Sequence, residues 1–93
     1  MTRAEILDKA KACVVGDREQ DYGAPEKNFG RIAEFWTTYL GKEVTPTDVA
    51  AMLALLKIAR IASSHAKDDN WVDLAGYAAC GGEIETGWVK EEP

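Results

Sequence analysis

Two cations on an otherwise apolar stretch are the first residues with chemistry to offer. Lys57 and Arg60 are the only charged residues between Val49 and Ser64, and on a helix they lie about 60° apart. Charges on an apolar helix are costly to bury unless something anionic meets them. Asp48 falls opposite Lys57 on the same wheel, so it cannot be the partner within the helix. Two readings follow. In one, the pair clamps phosphate, arginine with a planar fork and lysine with a point charge. In the other, the cations make internal salt bridges to a later helix, where Asp69, Asp73 and Tyr77 recur at i, i+4 and i+8. Asp73 can serve both readings by orienting a cation that also reaches a ligand.

A second group lies in the polar stretch Gly16–Pro25, GDREQDYGAP. It combines Arg18, several acids, the aromatic face of Tyr22 and a permissive glycine, and such loops often carry binding residues. Tyr22 is suited to stacking on a base and Arg18 to touching phosphate, with Glu26 and Asn28 adding polar contacts just beyond. The plainer reading is a solvated loop with Tyr22 tucked onto the next helix. Other candidates offer less. His65 follows a helix end and suits its dipole. Cys80 has no activating base nearby in sequence and reads as a buried, inert thiol. Ser63 and Ser64 show no nucleophile signature, and Trp36, Trp71 and Trp88 read as core or interface aromatics.

The elements that must position these residues are helical. Thr2 with Glu5 fits a capping box, and Ile6, Leu7, Ala10, Cys13 and Val14 form one stripe that Gly16 ends. A second helix is predicted from Pro25 to Leu40, with Phe29, Ile32, Ala33, Trp36 and Leu40 buried and Gly41 at its exit. Within it, Gly30 implies a close backbone contact. Thr45-Pro46-Thr47-Asp48 opens a third helix with cap, proline and acid in order. That helix, Val49–Ser64, is apolar all round and is therefore predicted to be central, covered on both sides. Asp69 or Asn70 caps a fourth helix carrying Trp71, Val72, Leu74, Tyr77 and Ala78, which weakens at Gly81-Gly82. No segment alternates with period two. The fold class is all-α, with a single helical domain over residues 1–82 and an acidic tail over 83–93.

Composition narrows the function classes. The sequence has 93 residues, 46% hydrophobic and 29% charged, which is globular rather than disordered. A net charge of −5 argues against a general nucleic-acid coat or a binder of anionic membranes, both of which need a positive field. Two cysteines make no disulfide framework or metal knuckle. The longest apolar run is too short for a bilayer, and no secretory leader pattern opens the sequence. The expectation is a cytoplasmic protein. A small chain can hardly cover an all-apolar helix alone, so a homo-oligomer is predicted, with Gly76, Gly81 and Gly82 allowing helices to approach at its interface.

The order Gly16-Asp17-Arg18, Asp21-Tyr22-Gly23, Pro25-Glu26-x-Asn28-Phe29-x-Arg31-Ile32, Asp48-Val49-Ala50, Lys57-x-x-Arg60 and Asp69-Asn70-Trp71-Val72-Asp73-Leu74-Ala75-Gly76-Tyr77 resembles a family of small phage and prophage proteins. The resemblance covers about residues 4–82. That family in turn is similar to the all-α MazG-type nucleoside-triphosphate pyrophosphohydrolases, which are helical oligomers working around magnesium. It implies a four-helix, MazG-like domain in an infected bacterial cell, and a nucleotide-type small molecule as ligand. The MazG pattern holds magnesium with E-x-x-E on one helix and E-x-x-D on the next. Here Asp73 matches the final aspartate, with Asn70 three residues before it. Asp48 is followed three residues later by Ala51, so the other acidic pair is missing. Magnesium needs carboxylates with substrate phosphates to complete its shell. The resemblance therefore implies a nucleotide pocket with an eroded metal site and no resident cofactor. Its ligand set is Arg18, Tyr22, Glu26, Asn28, Lys57, Arg60, Asp73 and Tyr77. Such a protein sequesters a cyclic or ADP-ribose-type immune signal without cleaving it. The alternatives are an active magnesium-dependent pyrophosphohydrolase using Asp73 and Asp69, and a structural helical interaction module.

Overall fold

The computed structural model describes residues 1–17, 23–63 and 68–87, apart from the side chains of Asp17 and Asp68. Among them are four α-helices and no strand. Helix α1 (Arg3–Ala12) starts at the expected capping box: the Thr2 N–H donates to Glu5 Oε1 at 2.7 Å, and the Glu5 N–H donates to Thr2 Oγ1 at 3.1 Å. Glycine does not end this helix. Its backbone widens instead into a π-helical turn over Cys13–Asp17 that contains Gly16. Such turns shift the faces of the residues they carry. Ala10 is buried, whereas Leu7, expected in the same stripe, is 62% exposed.

Helix α2 (Pro25–Leu40) has the predicted bounds, with proline in its first turn and Gly41 closing it at φ 71°. Left-handed backbone there suits glycine, and its N–H donates to the Thr37 carbonyl at 2.9 Å. Thr37 also fastens the connection to the next helix. Its hydroxyl accepts from the Val44 N–H at 2.8 Å and donates to the Val44 carbonyl at 3.2 Å. Phe29 and Ala33 are buried, but Leu40, at the last turn, is exposed. A side chain built at Gly30 meets nothing within 4 Å, so no close backbone contact explains that glycine.

Helix α3 (Pro46–Ala62) opens with the second capping box, Thr45 Oγ1 accepting from the Asp48 N–H and Asp48 Oδ2 from the Thr45 N–H. Helix α4 (Asp68–Glu85) begins before the expected caps, so Asn70 lies inside the helix and is buried. It also runs through Gly81-Gly82, and Ile84 beyond them packs on the core. Trp71 is 48% exposed and is not a core residue.

The core gathers Phe29, Ala33, Val49, Ala50 and Cys80, flanked by Val14, Ile32, Trp36, Val44, Leu53, Tyr77 and Ile84. Helix α4 is its organiser: α3 packs along it most extensively, α1 packs beside it, and α2 packs on α3. The glycines of α4 serve contacts inside this chain. A Cβ at Gly81 would come within 2.9 Å of Ala50 Cβ, and one at Gly76 within 3.0 Å of Val14 Cγ1, whereas Gly82 faces open space. Gly76 and Gly81 thus admit the π-helical turn and α3 of the same chain. Within one chain α3 is not covered on both sides: Met52, Leu55, Leu56 and Ile58 all remain exposed, and the cover expected from further copies lies outside a single chain. Among the described residues it is α4 and α2 that pack on this helix.

Candidate functional site

Helix α4 presents Asp73, Gly76, Tyr77 and Cys80 at i, i+3, i+4 and i+7, one face at helical period. Val72 stands beside them. Opposite this face come Cys13 and Val14 from the π-helical turn, and Gly23, Pro25, Asn28 and Phe29 at the start of α2. Together they line a small, open cleft. Gly76 brings the floor close to the backbone, and Val14 lies directly over it. Phe29 and Tyr77 meet at a centroid distance of 6.5 Å with their planes at 51°, a tilted aromatic contact of ordinary geometry.

The lining is mostly apolar, with two strongly polar side chains, Asn28 and Asp73. Asp73 is paired: its Oδ2 lies 3.0 Å from Lys57 Nζ, across the α3–α4 contact, with the two side chains 26% and 16% exposed. The sequence's internal salt bridge is therefore present, made by Lys57 with the central member of the Asp69–Asp73–Tyr77 row. Half-burial strengthens such a pair relative to one in open water, and it sets a neutralised carboxylate at the edge of an apolar cleft.

Of the eight predicted ligand residues, Asn28, Asp73 and Tyr77 line the cleft, and Lys57 joins it through Asp73. Glu26 and Arg60 are exposed and are not among its lining residues. Arg18 and Tyr22 lie outside the described residues, as do Ser64, His65 and Trp88. Sequence reasoning missed Cys13, Val14, Pro25, Phe29, Val72, Gly76 and Cys80 as lining residues. The i, i+3, i+4, i+7 spacing on α4 was the available signal for Gly76 and Cys80. Nothing in the sequence marked the π-helical turn.

The donor set does not suit magnesium. Asp69 is exposed, Asn70 is buried with a polar interaction of its own, and Asp73 holds Lys57. Among the described residues no three of His, Cys, Asp and Glu stand where they could share a metal ion. No helix among them is long and apolar enough to cross a membrane.

Two curated relatives come from mycobacteriophages. The chain is 40% identical over 88 residues to the Gene 55 protein of Mycobacterium phage D29, covering 95% of this chain and 58% of that protein. It is 49% identical over 74 residues to the Gene 55 protein of Mycobacterium phage L5, covering 78% of this chain and 47% of that one. The chain thus spans about half the length of the curated relatives it matches. No solved structure matches it. A family model described as a domain of unknown function, DUF6378, matches residues 5–85, which takes in the four helices but for the first two residues of α1, and every lining residue of the cleft, and the chain belongs to that family.

Proposed function

We propose that the chain binds a nucleotide-type small molecule in the cleft between α4, the π-helical turn and the start of α2, and holds it without cleaving it. The observation that carries this reading is the composition of the cleft: apolar walls, an aromatic pair, one amide and one carboxylate already neutralised by Lys57. Concave, mostly apolar sites with a few placed polar groups are what small ligands use. A carboxylate in the wall repels phosphate but accepts from a ribose hydroxyl or a base N–H. The nucleoside portion therefore enters the cleft, where Asp73 Oδ1 and the Asn28 amide meet its polar edge and Tyr77 its apolar surface. Phosphates stay at the rim, within the field of Lys57 and Arg60. Arg18 and Tyr22 belong to the same proposed ligand set, closing over the ligand from the loop.

Among the described residues no three of His, Cys, Asp and Glu could share a metal ion, which supports retention without cleavage, since a magnesium-dependent phosphoryl reaction needs such carboxylates. In a phage setting such a protein removes a nucleotide-derived immune signal, cyclic or ADP-ribose-type, from its receptor. A MazG-like kinship belongs to this proposal, as does a homo-oligomer, and so does a cytoplasmic location in the infected cell. The runner-up, a magnesium-dependent pyrophosphohydrolase, would use Asp73 and Asp69. A structural module is the third reading, and the Lys57–Asp73 bridge favours it, since that pair satisfies itself without any ligand.

Calorimetry and thermal shift across nucleotides and cyclic signalling nucleotides, with EDTA present, test the proposal. Saturable binding and return of the intact ligand on denaturation are expected. Magnesium-dependent turnover on the order of 1 s⁻¹ or more establishes the enzyme instead. No binding and no shift in melting temperature with any nucleotide leaves the structural module.

A further inference from the structure

The side of α2 turned away from the core carries a row of its own. Lys27, Arg31, Phe35 and Tyr39 recur at i, i+4, i+8 and i+12, and all four are exposed. Residues four apart on a helix are surface neighbours, so the row is continuous. On the wheel Arg31 lies opposite the midpoint between Phe29 and Ala33, the two buried residues of this helix. Both rings are bare, with Phe35 69% and Tyr39 88% exposed. Lys42, also exposed, follows Tyr39 just past the helix end. Neither the ion pair Lys57–Asp73 nor the ring pair Phe29–Tyr77 draws on this row.

We propose that the row binds a short stretch of single-stranded nucleic acid, with the two rings stacked on bases and Lys27, Arg31 and Lys42 meeting phosphates. This goes beyond the cleft and does not depend on the ligand reading there. The pattern selects the occupant. Cations interleaved with exposed aromatic faces hold a strand without regard to its sequence, because charge tracks the backbone and each ring takes a base. From Lys27 to Tyr39 the row runs about 18 Å along the helix, room for a few nucleotides. A duplex fits less well, since its bases are already stacked on one another and closed to the rings. A net charge of −5 also leaves no broad positive field for a duplex's denser phosphates. That charge argues against a general nucleic-acid coat, and the row is a local exception to it. An apolar partner fits less well too. Glu34 and Thr38, beside the row, are polar and exposed, so no contiguous apolar patch surrounds the rings. Glu34 opposes a strand by its charge and so limits the affinity.

The test is fluorescence anisotropy of a labelled oligodeoxythymidine about 12 nucleotides long, titrated with the parent chain at low and at moderate salt. Saturable binding at low salt is expected. The logarithm of the binding constant should fall against that of salt with a slope of about −2, the value for about three phosphates on a single strand. The double variant Phe35→Ala, Tyr39→Ala should bind about tenfold more weakly or worse, given what stacking on a ring contributes. Arg31→Ala should weaken binding and flatten the slope by about 0.7. Both rings are exposed, so the variants should keep the parent's helical circular dichroism. If the double variant does not fold, Tyr39→Ala alone takes its place, with a loss of about fivefold or more. No binding at low salt overturns the proposal. So does a ring variant that binds as the parent does, or an Arg31→Ala slope equal to the parent's. A duplex of the same length held as tightly as the strand overturns it as well, because charge alone would then be acting. Displacement of the strand by polyglutamate at equal charge concentration also overturns it, and makes the row a surface for an acidic protein.

Discussion

Two adjacent glycines on α4 should respond in opposite directions to the same substitution. In a helix interior glycine is about 1 kcal/mol less favourable than alanine, so on propensity alone Gly81→Ala and Gly82→Ala should each stabilise the fold. At Gly82 nothing stands within 4 Å of the added Cβ, and the gain should survive, somewhat reduced so near the helix end. At Gly81 the new Cβ would lie 2.9 Å from Ala50 Cβ. Neither atom has a torsion that can turn it away, so relief requires α3 and α4 to separate along their most extensive contact, beside fully buried Val49. Overpacking of this kind costs about 1–3 kcal/mol, which exceeds the propensity gain. Gly81→Ala should therefore be destabilised by up to about 2 kcal/mol, and the neighbours should differ by about 1–3 kcal/mol. For a domain of this size 1 kcal/mol moves Tm by about 4–8 °C. Thermal and urea melts at one fixed protein concentration, to hold any association constant, resolve that difference easily. A Gly81→Ala variant as stable as Gly82→Ala would refute the close approach of α3 and α4.

The other predictions are quicker to state. Gly30→Ala, on the open side of α2, should raise stability by up to about 1 kcal/mol in the same melts. Lys57→Met should destabilise by about 1–2 kcal/mol, since it strands a half-buried carboxylate, and Asp73→Asn combined with it should recover part of that loss in a double-mutant cycle. Arg60→Ala should fold like the parent and weaken nucleotide binding about tenfold by calorimetry, as loss of one charge-assisted contact at the rim would. Glu5 is held below its ordinary value of 4.5, first by the hydrogen bond from the Thr2 backbone N–H and then by the Thr2 hydroxyl. A depressed carboxyl stabilises the fold above its unfolded value and loses that contribution as pH falls through the lowered one. The start of α1 should therefore fray only below about pH 4.5, as read by amide exchange at Thr2, and Glu5→Gln should remove that acid sensitivity.

Legibility in the sequence followed the range of the interactions. The capping box at Thr2, the N-cap at Thr45, the bounds of α2 and its exit at Gly41 were readable, because each depends on residues within one turn. Four helices followed from periodicity. The errors came where packing decides. Leu7 and Leu40 have the right period for burial, yet both remain exposed. Gly81-Gly82 looked like a helix end, since glycine is a poor helix former. Contact with Ala50 explains Gly81 and lets the helix run on to Ile84. Within the site, Lys57 and Asp73 stood out because a charge on an apolar face demands a partner. The apolar lining did not, because a valine or cysteine facing a cleft has the same sequence signature as one facing the core.

Why α3 should be apolar all round can now be argued from its two sides. The side carrying Val49, Ala50, Leu53 and Lys57 is committed within the chain: the first three bury against the core or pack on it, and Lys57 holds Asp73 at the edge of the cleft. The side carrying Met52, Leu55, Ala59 and Ala62 lies roughly opposite on the wheel and is exposed. A helix used on both sides needs apolar residues on both, and it tolerates charge only where a defined partner receives it. One cation therefore sits on the inner side, and none sits on the outer side.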